Sequence, residues 1–205
     1  GQRILAGEVK RGDGQTIDAV IWYCDLRGFT RASDDLPRDS VICLLNDYFG
    51  VMGAAVTSAG GEILKFMGDG MLAMLPVATP AKRAETAVRA TGAASDAARS
   101  IGLLNDRRIP SGEQPLRFGL ALHLGEVMFG NIGASQRLDF TVIGPAVNYA
   151  ARLEKVCAAV GRPVVLSKAV ADLLPTGAVE PLGLHPLKDI DRPQPIYGLS
   201  AAQAA

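Results

Sequence analysis

A chain of 205 residues, 48% apolar and 20% charged, can bury one sizeable core and is not a disordered chain. Its 21 Lys and Arg are balanced by 21 Asp and Glu in both halves of the chain, which excludes a basic surface built for nucleic acid or anionic lipid. Three cysteines, an odd number, fit a reducing compartment better than a disulfide framework, and no unbroken apolar run reaches the roughly 18 residues of a membrane span.

Residues 4–11 and 16–25 read as two strands around the turn Gly12-Asp13-Gly14. The second, Ala19-Val20-Ile21-Trp22-Tyr23-Cys24, is almost wholly apolar, as in a strand covered on both faces, and it ends at Asp25. Leu26-Arg27-Gly28-Phe29-Thr30 is then a loop leading to a helix. Val41, Leu44, Leu45, Tyr48, Phe49 and Met52 repeat at helical spacing, with Ser33, Asp34 and Asp35 as acidic and capping groups before them and Gly60-Gly61 as the stop. Residues 62–67 and 71–75 form a hairpin around Gly68-Asp69-Gly70. Thr79-Pro80 opens a second helix over 81–99, with a stripe of small residues (Ala84, Ala87, Val88, Ala94) that demands close packing. Residues 102–115 are polar and irregular, an exposed arm or loop. A hairpin is expected from 116–124 and 127–132, then a Gly-containing connection holding the apolar run 140–143. A third helix over 147–159 stops at Gly161. A strand at 163–166, a short helix at 168–174 and an edge strand in the tail complete the pattern. Hairpins alternating with helices predict an α+β fold, a mostly antiparallel sheet with helices on a face.

Asp25 ends a buried strand and Asp69 sits in a hairpin turn, and adjacent strands would bring both to one end of the sheet. Each alone could be a cap or turn residue. Together, with no His or Cys nearby, they offer hard oxygen ligands suited to Mg²⁺ or Mn²⁺, which is commonly held by one or two carboxylates plus substrate phosphates. Gly28-Phe29-Thr30 places small residues and exposed amides where phosphate oxygens could be held, or it is an ordinary strand-to-helix turn. Asn148 and Arg152, four apart, share a helix face and could grip ribose and phosphate, or simply be solvated. Lys65, in an otherwise apolar strand, is either a snorkelling cation or a specific donor. His123 and His185 show no metal-ligand spacing and read as structural.

The segments Asp25-Leu26-Arg27-Gly28-Phe29-Thr30, Gly61 to Gly70, Arg117 to Val127 and Phe140 to Glu154 resemble, in order, the class III nucleotidyl cyclase catalytic domain. The resemblance covers about 18–199, leaving 1–17 as an N-terminal extension and 200–205 as a tail. It implies a ferredoxin-like βαββαβ core with added strands and helices, acting as a homodimer with two sites at the interface. By position, Asp25 and Asp69 would be metal ligands, with the Leu26 carbonyl helping, for two Mg²⁺ or Mn²⁺ ions. Phe29 and Thr30 would give amides to the β,γ-phosphates and Arg117 would bind phosphate. Asn148 would orient the ribose, and Arg152 would stabilise charge on the α-phosphate. Lys65 and Thr141 match the purine-selecting pair. Lys188 is the candidate tail cation for the terminal phosphates, with Arg192 competing. Lys65 as donor to adenine N1, and the Thr141 hydroxyl as acceptor from N6, favour ATP. Guanylyl members typically place Glu at the Lys position. Thr at 141 resembles a subclass that includes bicarbonate-responsive cyclases. The resemblance therefore implies an adenylate cyclase. A guanylate or relaxed-specificity cyclase, and a non-catalytic nucleotide-binding dimerisation module, are the alternatives. The expected setting is cytoplasmic, without nucleic-acid or membrane contact by this chain and with any regulatory domain or anchor outside it.

Overall fold

A computed structural model describes residues 14–134 and 137–200, the side chains of residues 14, 131–134 and 137–141 excepted. The predicted strand at 4–11 lies outside the described residues. Strands β1 (Gly14–Leu26), β2 (Glu62–Met67), β3 (Gly70–Pro76) and β4 (Phe118–Ala134) alternate with α1 (Phe29–Asp35), α2 (Arg38–Ser58) and α3 (Arg83–Arg108). β5 (Arg137–Ile143), α4 (Pro145–Val160), β6 (Val164–Ser167), α5 (Lys168–Ala171), β7 (Val179–His185) and β8 (Gln194–Leu199) follow. The sheet order is β2-β3-β1-β4-β6-β8-β7, with β5 paired to the far half of β4. Among the described residues only β4 and β6 run parallel. β1, α2, β2, β3, α3 and β4 thus form a ferredoxin-like βαββαβ core with strands in the order 4-1-3-2, extended by the remaining elements.

Alternation along β1 explains why its middle is almost wholly apolar. Val20, Trp22, Cys24 and Leu26 pack against α2 and α3, while Ala19 and Ile21 point to the opposite face, which α4 covers through Ala146 and Ala150. Helices therefore lie on both faces, not on one. Asp25 follows the odd-numbered alternation and emerges on the α4 side. By length and hydropathy α2 could cross a membrane. One face of it, through Leu44, Tyr48, Met52 and Val56, is instead buried in the core cluster with β1 and β3.

Several elements differ from the sequence expectation. Residues 116–132 are not a hairpin: β4 runs unbroken through Gly125-Glu126 and pairs with the whole of β1. Gly125 is there for closeness, since a Cβ would lie 2.7 Å from the Ala146 Cβ on α4. The hairpin partner of β4 is β5, which contains the run 140–143. Residues 102–108 are not an irregular arm but the end of α3. Buried Ile101 and Arg108 hold it down, and Arg108 bonds Asp47 (2.8 Å) and the Gln114 carbonyl (3.1 Å). Ala84 and Val88 face solvent, and the small buried stripe is Ala87, Ala90, Ala94 and Ala97. Ser33, Asp34 and Asp35 form part of α1 rather than capping α2, whose first-turn acid is Asp39. The tail supplies two strands, and β7 rather than β8 is the edge.

Candidate active site

The β1–β3 register builds the acidic end of the sheet. Asp25 is paired with Gly70, one residue beyond Asp69 in the tight β2–β3 turn. The Leu26 amide donates to the Asp69 carbonyl (3.4 Å), and a Cβ on Gly70 would sit 3.4 Å from Asp25 Oδ1. Gly68 supplies the left-handed φ of +65° that the turn needs. Partial burial, then the neighbouring Asp25 charge, raise the Asp69 carboxyl above its ordinary value. Two carboxylates so close that one resists ionisation, with no thiol or imidazole among them, are a donor set fit for a hard divalent cation. Among the described residues no three or more His, Cys, Asp or Glu form a group able to hold a metal ion, so the remaining ligands would come from backbone, water or substrate.

Beyond Leu26 the chain turns at Gly28 (φ 74°), and α1 begins at Phe29 and Thr30 with no side chain capping its first amides. Arg117 reaches the same place. It lines a hollow of about 370 Å³ with Arg27, Gly28 and Arg31, and its carbonyl accepts from the Arg27 amide (2.7 Å). Arg117 is thus brought to the Arg27–Gly28 turn, immediately before Phe29 and Thr30.

Asn148 and Arg152 project from the exposed face of α4 into a groove of about 500 Å³ that also takes in Lys155, His185 and Lys188. The structure therefore brings Lys188 to the helix face, while Arg192 does not line the groove. Arg152 is held by Asp189, Nη2 to Oδ2 3.1 Å, on the loop between β7 and β8. Lys65 is exposed near the tip of β2, and Thr141 lies on β5 opposite Gly130. The two strands touch, and the Thr141 side chain is outside the described residues. His123 is structural as expected. It stacks on Tyr149 with ring centroids 4.2 Å apart and bonds Ser167 Oγ at 2.9 Å, and burial pulls its pKa down to about 4.

Sequence reasoning assigned nothing to an ion network that ties these parts together. Lys155 Nζ lies 3.2 Å from Asp25 Oδ2 and 3.2 Å from Glu154 Oε2. Glu154 is completely buried and pairs with Arg27 Nη2 at 2.6 Å, and Arg27 also donates to the Glu154 carbonyl at 2.9 Å. Burial raises the Glu154 carboxyl, against the pull of Arg27 and Lys155. The Lys155 ammonium is disfavoured by desolvation, but the Glu154 and Asp25 contacts outweigh it and raise its pKa. A signal was present: Asn148, Arg152 and Lys155 stand at i, i+4 and i+7, and Glu154 interrupts the buried stripe of Ala150, Leu153 and Cys157.

The sequence profile of the adenylate and guanylate cyclase catalytic domain matches residues 13–188. The chain belongs to this family. Cyclase domains of this kind act on nucleotides with divalent metal ions and typically pair as dimers. Among curated relatives, this cyclase domain is 31% identical over 166 residues to an adenylate cyclase of Anabaena cylindrica, 79% of this chain and 32% of the relative. It is 31% identical over 155 residues to adenylate cyclase 1 of Rhizobium meliloti, 75% of this chain and 23% of the relative. The chain thus spans about a third or less of these relatives' length. Among solved structures it is similar to the adenylyl cyclase CyaB from P. aeruginosa, with a TM-score of 0.81 and 26% identity over 91% of this chain and 95% of that one. A guanylyl cyclase structure gives a TM-score of 0.76 and 29% identity over 92% and 95%.

Proposed function

We propose that the chain is an adenylate cyclase that converts ATP to 3′,5′-cyclic AMP and pyrophosphate by in-line attack of the ribose 3′-oxygen on the α-phosphorus. The observation that carries this reading is the joining of Asp25 and Asp69 at one sheet end, beside the Gly28–Arg117 hollow, in a chain whose α4 displays Asn148 and Arg152 together. Asp25, Asp69 and the Leu26 carbonyl hold two Mg²⁺ or Mn²⁺ ions, which when bound lower the pKa of the attacking hydroxyl and offset charge at phosphorus. Phe29 and Thr30 amides and Arg117 bind the β,γ-phosphates, and Lys188 adds charge at the terminal phosphate. Asn148 fixes the ribose, and Arg152 leaves Asp189 to meet charge developing on the α-phosphate. Catalysis on this reading is positioning and preorganised charge, with no dedicated protein base.

Lys65, a donor only, serves adenine N1, and the Thr141 hydroxyl accepts from N6. Guanine would turn a proton toward Lys65. Thr at 141 further aligns the chain with the subclass that includes bicarbonate-responsive cyclases. The working form is a homodimer in which one protomer supplies the carboxylates and the other supplies α4, giving two composite sites. The chain acts as the catalytic part of a longer, regulated cytoplasmic protein, consistent with the curated relatives being at least about three times its matched length. A guanylate or relaxed-specificity cyclase is the second reading, favoured by the 29% identity to a guanylyl cyclase structure. Incubating the purified chain with Mn²⁺ and ATP or GTP, then separating the nucleotides by chromatography, tests both. Cyclic AMP is the expected product, and cyclic GMP in equal or greater yield would select the second reading. Absence of any cyclic nucleotide would leave only a nucleotide-binding module.

A further inference from the structure

The charge arrangement around Lys155 asks for an explanation beyond the substrate contacts. Glu154 has no exposed surface, and neither of its carboxylate oxygens receives a well-aligned hydrogen bond. Its charge is answered by two ion contacts, Arg27 on one oxygen and Lys155 on the other. A buried carboxylate with so few donors is costly unless it holds something in place. Arg27 fixes it from the strand-to-helix loop. Gly119 leaves room for the pair, since a Cβ there would collide with Glu154 Oε1 and Arg27 Nη2. What Glu154 holds on its other side is the Lys155 ammonium, and that ammonium also touches Asp25.

We propose that Lys155, steadied by Glu154, is the built-in counter-cation of the Asp25–Asp69 pair, which a divalent ion must displace in order to bind. The proposal rests on the carboxylate-pair reading above. The Lys155 side chain is 63% exposed, so it can swing away without disturbing the core, whereas Asp25 is only 24% exposed and stays. It already lines the open groove next to Arg152, one helical turn back on the same face, so released ammonium has a place to go. Lys155 is thus a positioning residue: it relieves the repulsion between two like charges in the empty site and sets a threshold for metal entry.

The test is Mn²⁺ binding without nucleotide, measured on the full chain by calorimetry at fixed pH and ionic strength. Lys155→Met keeps the aliphatic stem and removes the charge, and Lys155→Gln serves if Met does not fold. Either binds Mn²⁺ about three- to fivefold more tightly than wild type, the range a partly exposed ion pair allows. Lys155→Arg restores affinity close to wild type. Lys168→Gln removes a cation that pairs with Asp172, far from the carboxylates in the fold, and leaves the affinity unchanged. Unchanged or weaker binding in the Lys155 variants, or an equal gain in Lys168→Gln, overturns the proposal. Asp25→Asn in the wild-type background separates the two levels of inference. If it leaves Mn²⁺ binding intact, the carboxylate-pair reading itself falls, and Lys155 with it. If it abolishes binding while the Lys155 variants behave as wild type, only the counter-cation role is lost.

Discussion

Asp69 is where burial and a neighbouring charge act most directly on a single carboxyl in this chain. Its carboxyl is raised by burial and by Asp25, so the folded protein holds that proton more tightly than the unfolded chain does. Stability from this group is present below the unfolded carboxylate pKa and is lost as pH rises through the raised folded value. At neutral pH the metal-free protein therefore carries a strained charge. Asp69→Asn is expected to raise the Tm of metal-free protein at pH 7, with the gain shrinking as pH falls toward the carboxylate range. The same variant, and Asp25→Ala, should lower cyclase activity at least about a hundredfold, the scale of losing a preorganised electrostatic element. Near-normal turnover in folded Asp69→Asn would remove the two-carboxylate assignment. Base choice is the other residue-scale matter. Lys65→Glu with Thr141→Cys reverses hydrogen-bond polarity and is expected to erode the ATP over GTP preference in kcat/KM by tenfold or more, about 1.4 kcal/mol. An unchanged ratio means that other residues read the purine.

Among the elements, β4 and α4 meet where side chains are smallest. Asp25 on β1 faces Gly119 on β4, and the space left there admits the Arg27–Glu154 pair. Gly119→Ala is expected to cost about 3 kcal/mol in urea unfolding, because the buried carboxylate would lose its partner. A loss below about 1 kcal/mol would show that the network relaxes around the methyl. The same two elements show what the sequence revealed and what it hid. Local periodicity was enough for β1, α2, the β2–β3 hairpin and α4, because each carries its own apolar face or a glycine stop such as Gly161, whose φ is 64°. Gly125-Glu126 looked like a turn because glycine is used both for turning and for close approach, and only the position of Ala146 on α4 decides between them. The last turns of α3 were hidden for a related reason. Residues 102–108 are mostly polar, and their helix is held by distant partners: Asp47 for Arg108, and the Leu116 backbone for Asn105, which it meets through two hydrogen bonds of 2.9 and 2.7 Å. Asp25 and Asp69 could be read from the sequence as neighbours at one sheet end because each closes an adjacent strand, and Asn148 and Arg152 as sharing a helix face because they are four apart. Asp189 was not legible, since an aspartate in a tail loop carries no local mark, and the helical spacing that aligns Lys155 with Asn148 and Arg152 does not by itself tell a network member from a solvated lysine.

For the whole molecule, assembly is the first consequence. Exposed Phe66 and Met67 at the β2 tip, with Met128 and Ile143 on β4 and β5, leave apolar surface open in the single chain. If sites are shared across a twofold pair, Asp69→Ala and Arg152→Ala chains are each inactive alone but complement when co-expressed. Random pairing leaves half the dimers with one intact site, so about a quarter of wild-type activity should return. No recovery in mixed dimers verified by mass spectrometry would show that each site is built within one chain. The second consequence concerns salt. The molecule as a whole is neutral, with 21 charges of each sign, so its overall charge adds little to the attraction of a cation. Within the ion network itself the balance is three carboxylates, Asp25, Asp69 and Glu154, against Arg27 and Lys155. A divalent ion approaching the wild-type protein sees a small local charge, and the attraction that dissolved ions can screen is correspondingly small. Without the Lys155 charge that local excess doubles. Wild-type Mn²⁺ affinity is therefore expected to fall gently between low and physiological ionic strength, and that of Lys155→Met to fall more steeply, so the two titration curves converge as KCl is added. Parallel slopes would contradict this. A lysine beside the carboxylates thus makes cation uptake less dependent on the surrounding ionic strength, at the expense of the tighter binding a bare acidic pair would give in dilute salt.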